Sequence, residues 1–217
     1  MIICPQHKLV YLAPPKTGST AIVDLLLSRQ FGGKKLGKPA MSHHDVVWQP
    51  RFKHWFSFVS VRNPYRRMIS LWQFSVMRVN QTKRDKFTNF FSTIFNSDDH
   101  SFDAFMNSAT VHNCSKSVWR CHWQQYKFSK PIDAVVYQER LNEDIKKIPG
   151  LSSVELKKVN TSCPLIKPWY EYYEPEHVDK VRSWFAIDFD KFSYNPNFDE
   201  CVNGNYFANS LSCDSDC

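Results

Sequence analysis

Short apolar runs alternate with longer amphipathic stretches along the chain. Three apolar runs predict buried strands: 8–13, 55–61 and 133–137. Five stretches predict helices, chiefly from their apolar spacing: 19–30, 64–79, 115–128, 142–148 and 175–190. Strands that are separated by helices form parallel sheets covered on both faces, so the pattern predicts an α/β fold with a central parallel sheet flanked by helices in three layers.

Segments without periodicity set the domain organisation. The polar stretch 81–100 and the basic, glycine-bearing stretch 31–39 are predicted to be loops. A chain of 217 residues suits one domain with a sizeable core. We expect that domain to span residues 1–196 and to be followed by an irregular, cysteine-containing tail at 197–217.

The first strand is followed directly by a segment typical of an anion site, which we call the first anion motif. It reads Pro14-Pro15-Lys16-Thr17-Gly18-Ser19-Thr20. Backbone N–H groups of a tight turn and of a helix N-terminus converge on one point, where the helix dipole and Lys16 add positive charge. The motif is not a Walker sequence, because Lys16 precedes Gly18. A phosphate, or a group of that shape, is the predicted ligand.

A second anion motif follows the second strand and spans residues 62–70. Asn63 is predicted to cap a helix that begins at Pro64. Ser70 follows Arg62 by eight residues, a little over two helical turns, so both side chains can contact one phosphate. The adjacent Arg66 and Arg67 are expected to be exposed to solvent. Ligands of parallel sheets bind at the carboxyl ends of strands, so two such motifs predict a ligand with two anionic groups.

Together the two motifs resemble those of the sulfotransferase family, and most closely its carbohydrate branch. The resemblance continues through three later segments and covers roughly residues 8–196: Arg120–Gln125, Tyr137–Asp144 and Tyr172–Tyr194. The first of these has Gln124 where the family has proline, and the last has Ser193 where glycine is usual. The resemblance implies a P-loop-like fold.

The resemblance also implies the sulfuryl donor, 3′-phosphoadenosine 5′-phosphosulfate (PAPS), with 3′-phosphoadenosine 5′-phosphate (PAP) as its product. The first motif would bind the 5′-phosphosulfate and the second the 3′-phosphate. The residues implied for binding the donor are Pro15, Lys16, Thr17, Gly18, Ser19, Thr20, Arg62 and Ser70, with Asn160 in a later loop near the adenine.

The implied reaction moves a sulfuryl group in line onto a hydroxyl or amine of a carbohydrate or small-molecule acceptor. Lys16 would stabilise charge on the leaving phosphate. His43 or His44 would be the base, and Glu139 is the alternative. Two further residues are predicted to line the acceptor cleft: His122 and Gln125. The scheme requires no metal.

Composition narrows the partners of the chain. A formal charge of +7 attracts anionic partners, but no basic block is interleaved with aromatic residues, so nucleic acid is not a predicted ligand. No apolar run reaches the length of a membrane span, and the start does not resemble a signal peptide. We therefore expect a cytoplasmic protein if Met1 is the native start, and allow the Golgi lumen if the chain is truncated.

Seven cysteines leave at least one unpaired within the chain. One histidine and cysteine group matches no standard zinc spacing, which favours reduced thiols: His112, Cys114, Cys121 and His122. Two other functions stay open. A nucleotide-dependent kinase would need magnesium ligands and a Walker lysine, and neither is evident. A non-catalytic module could bind sulfated glycans with the same fold.

Overall fold

The central sheet has five strands. A computed structural model of the chain describes residues 1–36, 50–80, 94–95, 98–108, 125, 132–156 and 164–208. Its strands are β1 (Ile2–Cys4), β2 (Leu9–Leu12), β3 (Lys34–Lys35), β4 (Phe56–Val61) and β5 (Ala134–Tyr137). Their order is β3-β1-β2-β4-β5. The fold is therefore mixed α/β.

The middle of the sheet is parallel, as the sequence predicts. Strands β2, β4 and β5 pair in parallel, whereas β1 pairs antiparallel with both β2 and β3. The prediction missed this antiparallel edge. Strand β1 has three residues and β3 has two, which is too short for an apolar period to show.

Seven helices surround the sheet in the described parts of the chain. They are α1 (Ser19–Leu27), α2 (Pro64–Val79), α3 (Phe102–Asn107), α4 (Leu141–Ile145), α5 (Pro175–Trp184), α6 (Ala186–Lys191) and α7 (Phe198–Val202). Short 3₁₀ helices span Pro5–His7, Pro50–Phe52, Gln138–Arg140 and Trp169–Tyr172.

The predicted bounds of α2 are confirmed, whereas two other predictions, the helix at 175–190 and the irregular tail, are wrong. The stretch 175–190 is not one helix, because Phe185 leaves helical geometry at φ −115° and ψ 21°. The tail predicted to be irregular contains α7, whose cap is the Asn197 side chain accepting from the N–H groups of Asp199 and Glu200. Most of the predicted helix 115–128 and of the predicted loop 81–100 lies outside the described residues.

Both faces of the sheet are buried. Alternate residues of β2 point to opposite sides: Val10 and Leu12 pack with α2, α3, α5 and α6, whereas Leu9 and Tyr11 pack with α1 and α4. All four residues of β2 are buried for this reason, which explains why its sequence is a continuous apolar run. No helix in the described ranges has the length and apolar character of a membrane span.

The register of the parallel strands determines where the loops meet. Leu12 pairs with Val59, and Val61 pairs with Tyr137. The segments that follow β2, β4 and β5 therefore leave the sheet at the same end, where the carboxyl ends of these parallel strands lie. This arrangement brings the first anion motif, the second anion motif and the Gln138–Arg140 turn together.

Candidate functional site

Two residues with left-handed backbone shape the first anion motif. Lys16 has φ 67° and Gly18 has φ 77°. Gly18 is also the N-cap of α1, and no side chain caps that helix. A Cβ on residue 18 would lie 3.0 Å from Cγ of Gln138, so glycine is favoured by both its backbone and its surroundings. The turn leaves the first N–H groups of α1 without a side-chain cap.

Buried hydrogen bonds hold the motif on the sheet. The Thr17 hydroxyl donates to the Pro14 carbonyl at 2.8 Å and lies 2.7 Å from the Ser60 hydroxyl, which lies 2.5 Å from the hydroxyl of Tyr11. Burial raises the pKa of Tyr11, so its hydroxyl stays protonated. The Thr17 side chain is fully buried and points into the protein. Its predicted contact with the donor is thereby limited to the backbone.

The other residues of the first anion motif differ in how much they are exposed. Pro15 is buried, and its carbonyl accepts from Nε of Arg67 at 3.1 Å. Ser19 is 5% exposed, and Thr20 is half-buried. Arg67 is itself only 1% exposed, so the prediction of a solvated arginine pair is wrong for this residue. It connects α2 to the first anion motif.

Lys16 lies against an aromatic ring of α2. Its Nζ is 4.5 Å from the centroid of the Phe74 ring, a cation–π distance that favours one position of the ammonium group. Phe74 is not among the residues predicted for the site. The only local signal was that Phe74 follows Ser70 by four residues, one helical turn from a predicted ligand. Helix α2 thus contacts the lysine of one motif and begins in the other.

The backbone of Arg62 is clamped by Gln125. The Gln125 side chain accepts from Arg62 N at 2.7 Å and donates to Arg62 O at 2.8 Å. Gln125 N in turn donates to Oδ2 of Asp188 at 2.7 Å. Gln125 is fully buried and both polar atoms of its side chain are used in this clamp. The described contacts of Gln125 fix Arg62, and its predicted place in the acceptor cleft stays a prediction.

Glu139 holds the backbone of Asn63, the residue after Arg62, as Gln125 holds the backbone of Arg62. One carboxylate oxygen accepts from Asn63 N at 2.9 Å, and the other accepts from the hydroxyl of Tyr194 at 2.9 Å. Asn63 also caps α2 as predicted, because its Oδ1 accepts from the N–H groups of Tyr65 and Arg66. Both oxygens of Glu139 therefore have hydrogen-bond partners that orient the second anion motif.

Arg62 opens into a cavity of about 380 Å³, which we call the arginine cavity. Arg66, Ile69 and Gln73 of α2 form one side of it and residues 165–169 form the other. Nε of Arg62 is buried and has no hydrogen-bond partner among the described residues. Ser70 follows Ile69 on the same helix and is 5% exposed. Arg62 therefore lines the cavity and also has one buried N–H group for which the described residues supply no acceptor.

The electrostatics of the arginine cavity favour an anion. Burial, and then repulsion from Arg66, lowers the pKa of Arg62 to about 10, so its guanidinium is still charged at neutral pH. In the described part of the chain, no carboxylate lies within 4.0 Å of the guanidinium group of Arg62 or Arg66. Glu139 offsets part of the positive charge of Arg62 without reaching hydrogen-bond distance. A phosphate fits this site, because it would place negative charge and hydrogen-bond acceptors in direct contact with the guanidinium groups.

Several predicted residues lie outside the described ranges. They are His43, His44, His122 and Asn160, together with the histidine and cysteine group at 112–122.

A separate group of side chains could be considered for a metal ion. Asp103, Glu176 and His177 have their ligand atoms within 4.8 Å of one another. Nδ1 of His177 accepts from Glu174 N, and Nε2 lies 2.9 Å from Asp103, so a neutral imidazole has no lone pair left for a metal ion.

The comparison with known families gives the family of the chain. A model of the sulfotransferase family matches residues 1–195. The chain belongs to the sulfotransferase family. It is therefore an enzyme of sulfuryl transfer, and this class replaces both the kinase and the non-catalytic module. No curated protein and no solved structure matches the chain significantly. The match includes the antiparallel edge of the sheet and ends before α7.

Proposed function

We propose that this sulfotransferase moves a sulfuryl group from PAPS to a hydroxyl or amine of a carbohydrate or small-molecule acceptor. The observation that carries the proposal is the position of Arg62, which lines the arginine cavity and whose buried Nε has no hydrogen-bond partner among the described residues. Helix α2 lies between that cavity and Lys16, which contacts its Phe74. A donor with two separated anionic groups suits these two places, and the family is generally PAPS-dependent.

The chain supplies the groups that would hold the donor in a P-loop-like arrangement. Backbone N–H groups of residues 17–20 and the hydroxyls of Ser19 and Thr20 would bind the 5′-phosphosulfate. Arg62 and Ser70 would bind the 3′-phosphate, and Asn160 would lie near the adenine. When bound, PAPS supplies the sulfuryl group and a phosphate leaving group.

Lys16 is the residue we assign to transition-state stabilisation. Its ammonium group would lie where negative charge develops on the leaving phosphate, so it would stabilise the transition state more than the ground state. The contact with Phe74 and the bonds of Thr17 and Arg67 hold the loop in place before the reaction. A prepositioned charge avoids the free-energy cost of reorganisation during the reaction.

The base is assigned to His43 or His44. A histidine has the appropriate pKa to accept a proton from an acceptor hydroxyl near neutral pH. Glu139 is less suited, because its two oxygens accept hydrogen bonds from Asn63 N and the Tyr194 hydroxyl. We assign Glu139 a positioning role, and we retain His122 in the acceptor cleft.

The acceptor is proposed from the resemblance to carbohydrate sulfotransferases and from the excess of positive charge, which is +7. Positive charge attracts acidic sugar polymers, although it also attracts other anions. A panel containing a desulfated glycosaminoglycan, a simple phenol and an amine would separate the candidate acceptor classes.

The base assignment can be tested by sulfuryl transfer from labelled PAPS in the presence of a metal chelator. We expect alanine at position 43 or 44 to lower kcat by about 10²–10⁴-fold and to remove the acidic limb of the pH profile. Glu139→Gln keeps an acceptor for Asn63 N, so kcat should change only a few-fold. The matched control is His54→Ala, because His54 is exposed and lies before the amino end of β4.

Other results would assign the base to Glu139 or contradict the proposed function. If both histidine variants keep wild-type kcat while Glu139→Gln loses about 10²-fold or more with unchanged affinity for PAP, the base is Glu139. If the wild-type enzyme transfers no sulfuryl group to any acceptor class, the proposed acceptor is wrong, and if it also fails to bind PAP, the proposed donor is wrong as well.

A further inference from the structure

Residues 196–208, which we call the tail segment, lie beyond the family match but fold back onto the site. Tyr194 and Phe207 form an isolated antiparallel bridge. Asn195 N donates to Tyr206 O at 2.8 Å, and Ala208 N donates to Ser193 O at 2.9 Å. The Tyr194 and Phe207 rings stack at 5.5 Å. The tail segment is thus a folded part of this protein.

The tail segment contacts the second anion motif at three residues. The Tyr65 hydroxyl donates to Pro196 O at 2.7 Å. The Asn63 side chain donates to Sγ of the buried Cys201 at 3.3 Å. Nη1 of Arg66 donates to the Tyr206 hydroxyl at 3.1 Å. These contacts all reach the turn that presents Arg62.

The contact between Arg66 and Tyr206 has a direct consequence for the arginine cavity. Arg66 lines the same cavity as Arg62 and follows it by four residues. The Arg66 guanidinium also lies 5.5 Å from the centroid of the Tyr206 ring, so the ring and the hydroxyl both restrict where the charge can go.

Two neighbouring guanidinium groups repel each other unless an anion lies between or beside them. The repulsion is one of the causes that lower the pKa of Arg62. Glu139 offsets part of this repulsion at Arg62. The described residues place no carboxylate within 4.0 Å of either guanidinium group, so an anion can still bind beside both. A phosphate monoester carries nearly two negative charges at neutral pH, which matches two arginines better than a carboxylate or a sulfate ester does.

We propose that Arg66 is a second ligand for the 3′-phosphate of the donor and that Tyr206 is the positioning residue that holds it beside Arg62. The inference rests on the proposed function, since it concerns the same site. It assigns a role in donor binding to the tail segment. That role is specific to the 3′-phosphate and does not extend to the 5′-side of the nucleotide.

The test compares the binding of PAP and adenosine 5′-phosphate, which lacks the 3′-phosphate, by calorimetry on the full chain. We expect Arg66→Ala to weaken PAP binding by about tenfold or more, because a charge-assisted hydrogen bond is lost. Tyr206→Phe keeps the ring but removes the hydroxyl, and should weaken PAP binding by about threefold. Both variants should bind adenosine 5′-phosphate as the wild type does.

Kinetics give a second readout for Tyr206. A positioning role in donor binding raises KM for PAPS and leaves kcat unchanged, whereas general damage to the fold lowers kcat as well. The matched control is Asn205→Ala, which removes only the bond from the Asn205 side chain to Glu200 within the tail segment. We expect this variant to bind both nucleotides like the wild type.

The outcomes separate this inference from the proposed function. If Arg62→Ala loses PAP while Arg66→Ala and Tyr206→Phe bind it like the wild type, the inference fails and the proposed function stands. If the Arg66 and Tyr206 variants lose both nucleotides equally, the tail segment acts on the fold and the inference also fails. If the wild type binds no PAP, both the inference and the proposed function are overturned.

Discussion

Replacement of Lys16 by alanine is expected to lower kcat for sulfuryl transfer by about 10²–10³-fold and to change the affinity for PAP by less than tenfold. In the proposed function its charge is needed mainly in the transition state, whereas PAP would also be held by the uncapped N–H groups of α1 and by Arg62. The measurement is kcat and KM with labelled PAPS, together with calorimetric titration of PAP.

A second lysine offers a matched control for this experiment. Lys8 also has a left-handed backbone, with φ 50°, but it is exposed. It precedes β2 and so lies at the opposite end of the strands from the site. Lys8→Ala removes the same charge at the same kind of backbone position and should leave kcat unchanged. An equal fall in kcat for both variants, or a Lys16→Ala enzyme that keeps wild-type kcat, would remove Lys16 from the mechanism.

Gly33→Ala is expected to have the largest effect on stability. A Cβ at position 33 would lie 2.2 Å from the carbonyl oxygen of Leu26 and 3.0 Å from Sγ of Cys4. Gly33 N also donates to Leu26 O at 2.9 Å, so the two backbones cannot separate without losing that bond. We expect the free energy of unfolding to fall by about 3 kcal/mol or more, which lowers Tm by roughly 6–12 °C.

Gly204→Ala is the control for this stability prediction. A Cβ there meets no atom within 4 Å, although φ is 90°. Its cost is therefore limited to backbone strain of about 1–2 kcal/mol. Thermal unfolding of both variants, followed by circular dichroism, measures the difference. Equal melting temperatures for Gly33→Ala and the wild type would show that the close approach at the end of α1 relaxes at no cost.

The sequence predicts best where local chemistry decides the structure. Helix α2 has its predicted bounds because Asn63 supplies a cap and Pro64 has the backbone angle of a first helical residue. The strands β2 and β5 are continuous apolar runs, and β4 is mostly apolar, because the sheet is buried on both faces. The family resemblance over roughly 8–196 is likewise confirmed by the match over residues 1–195.

Long-range contacts are what the sequence could not show. Gln125 clamps Arg62 from 63 positions away, and Tyr206 reaches Arg66 from 140 positions away. No local pattern distinguishes such a glutamine or tyrosine from one that faces solvent. The burial of Arg67 was missed for the same reason, because its partner at Pro15 is 52 positions away.

The most direct test of the account is calorimetric titration of PAP and of ATP, without added Mg²⁺, against the wild type and Arg62→Ala. The clamp of Gln125 uses only backbone atoms of Arg62, so the variant should fold. Arg29→Ala, at an exposed arginine after α1, is the control. We expect micromolar binding of PAP to the wild type and to Arg29→Ala, loss of that binding in Arg62→Ala, and no binding of ATP. No binding of PAP, or a preference for ATP that appears with Mg²⁺, would contradict the account.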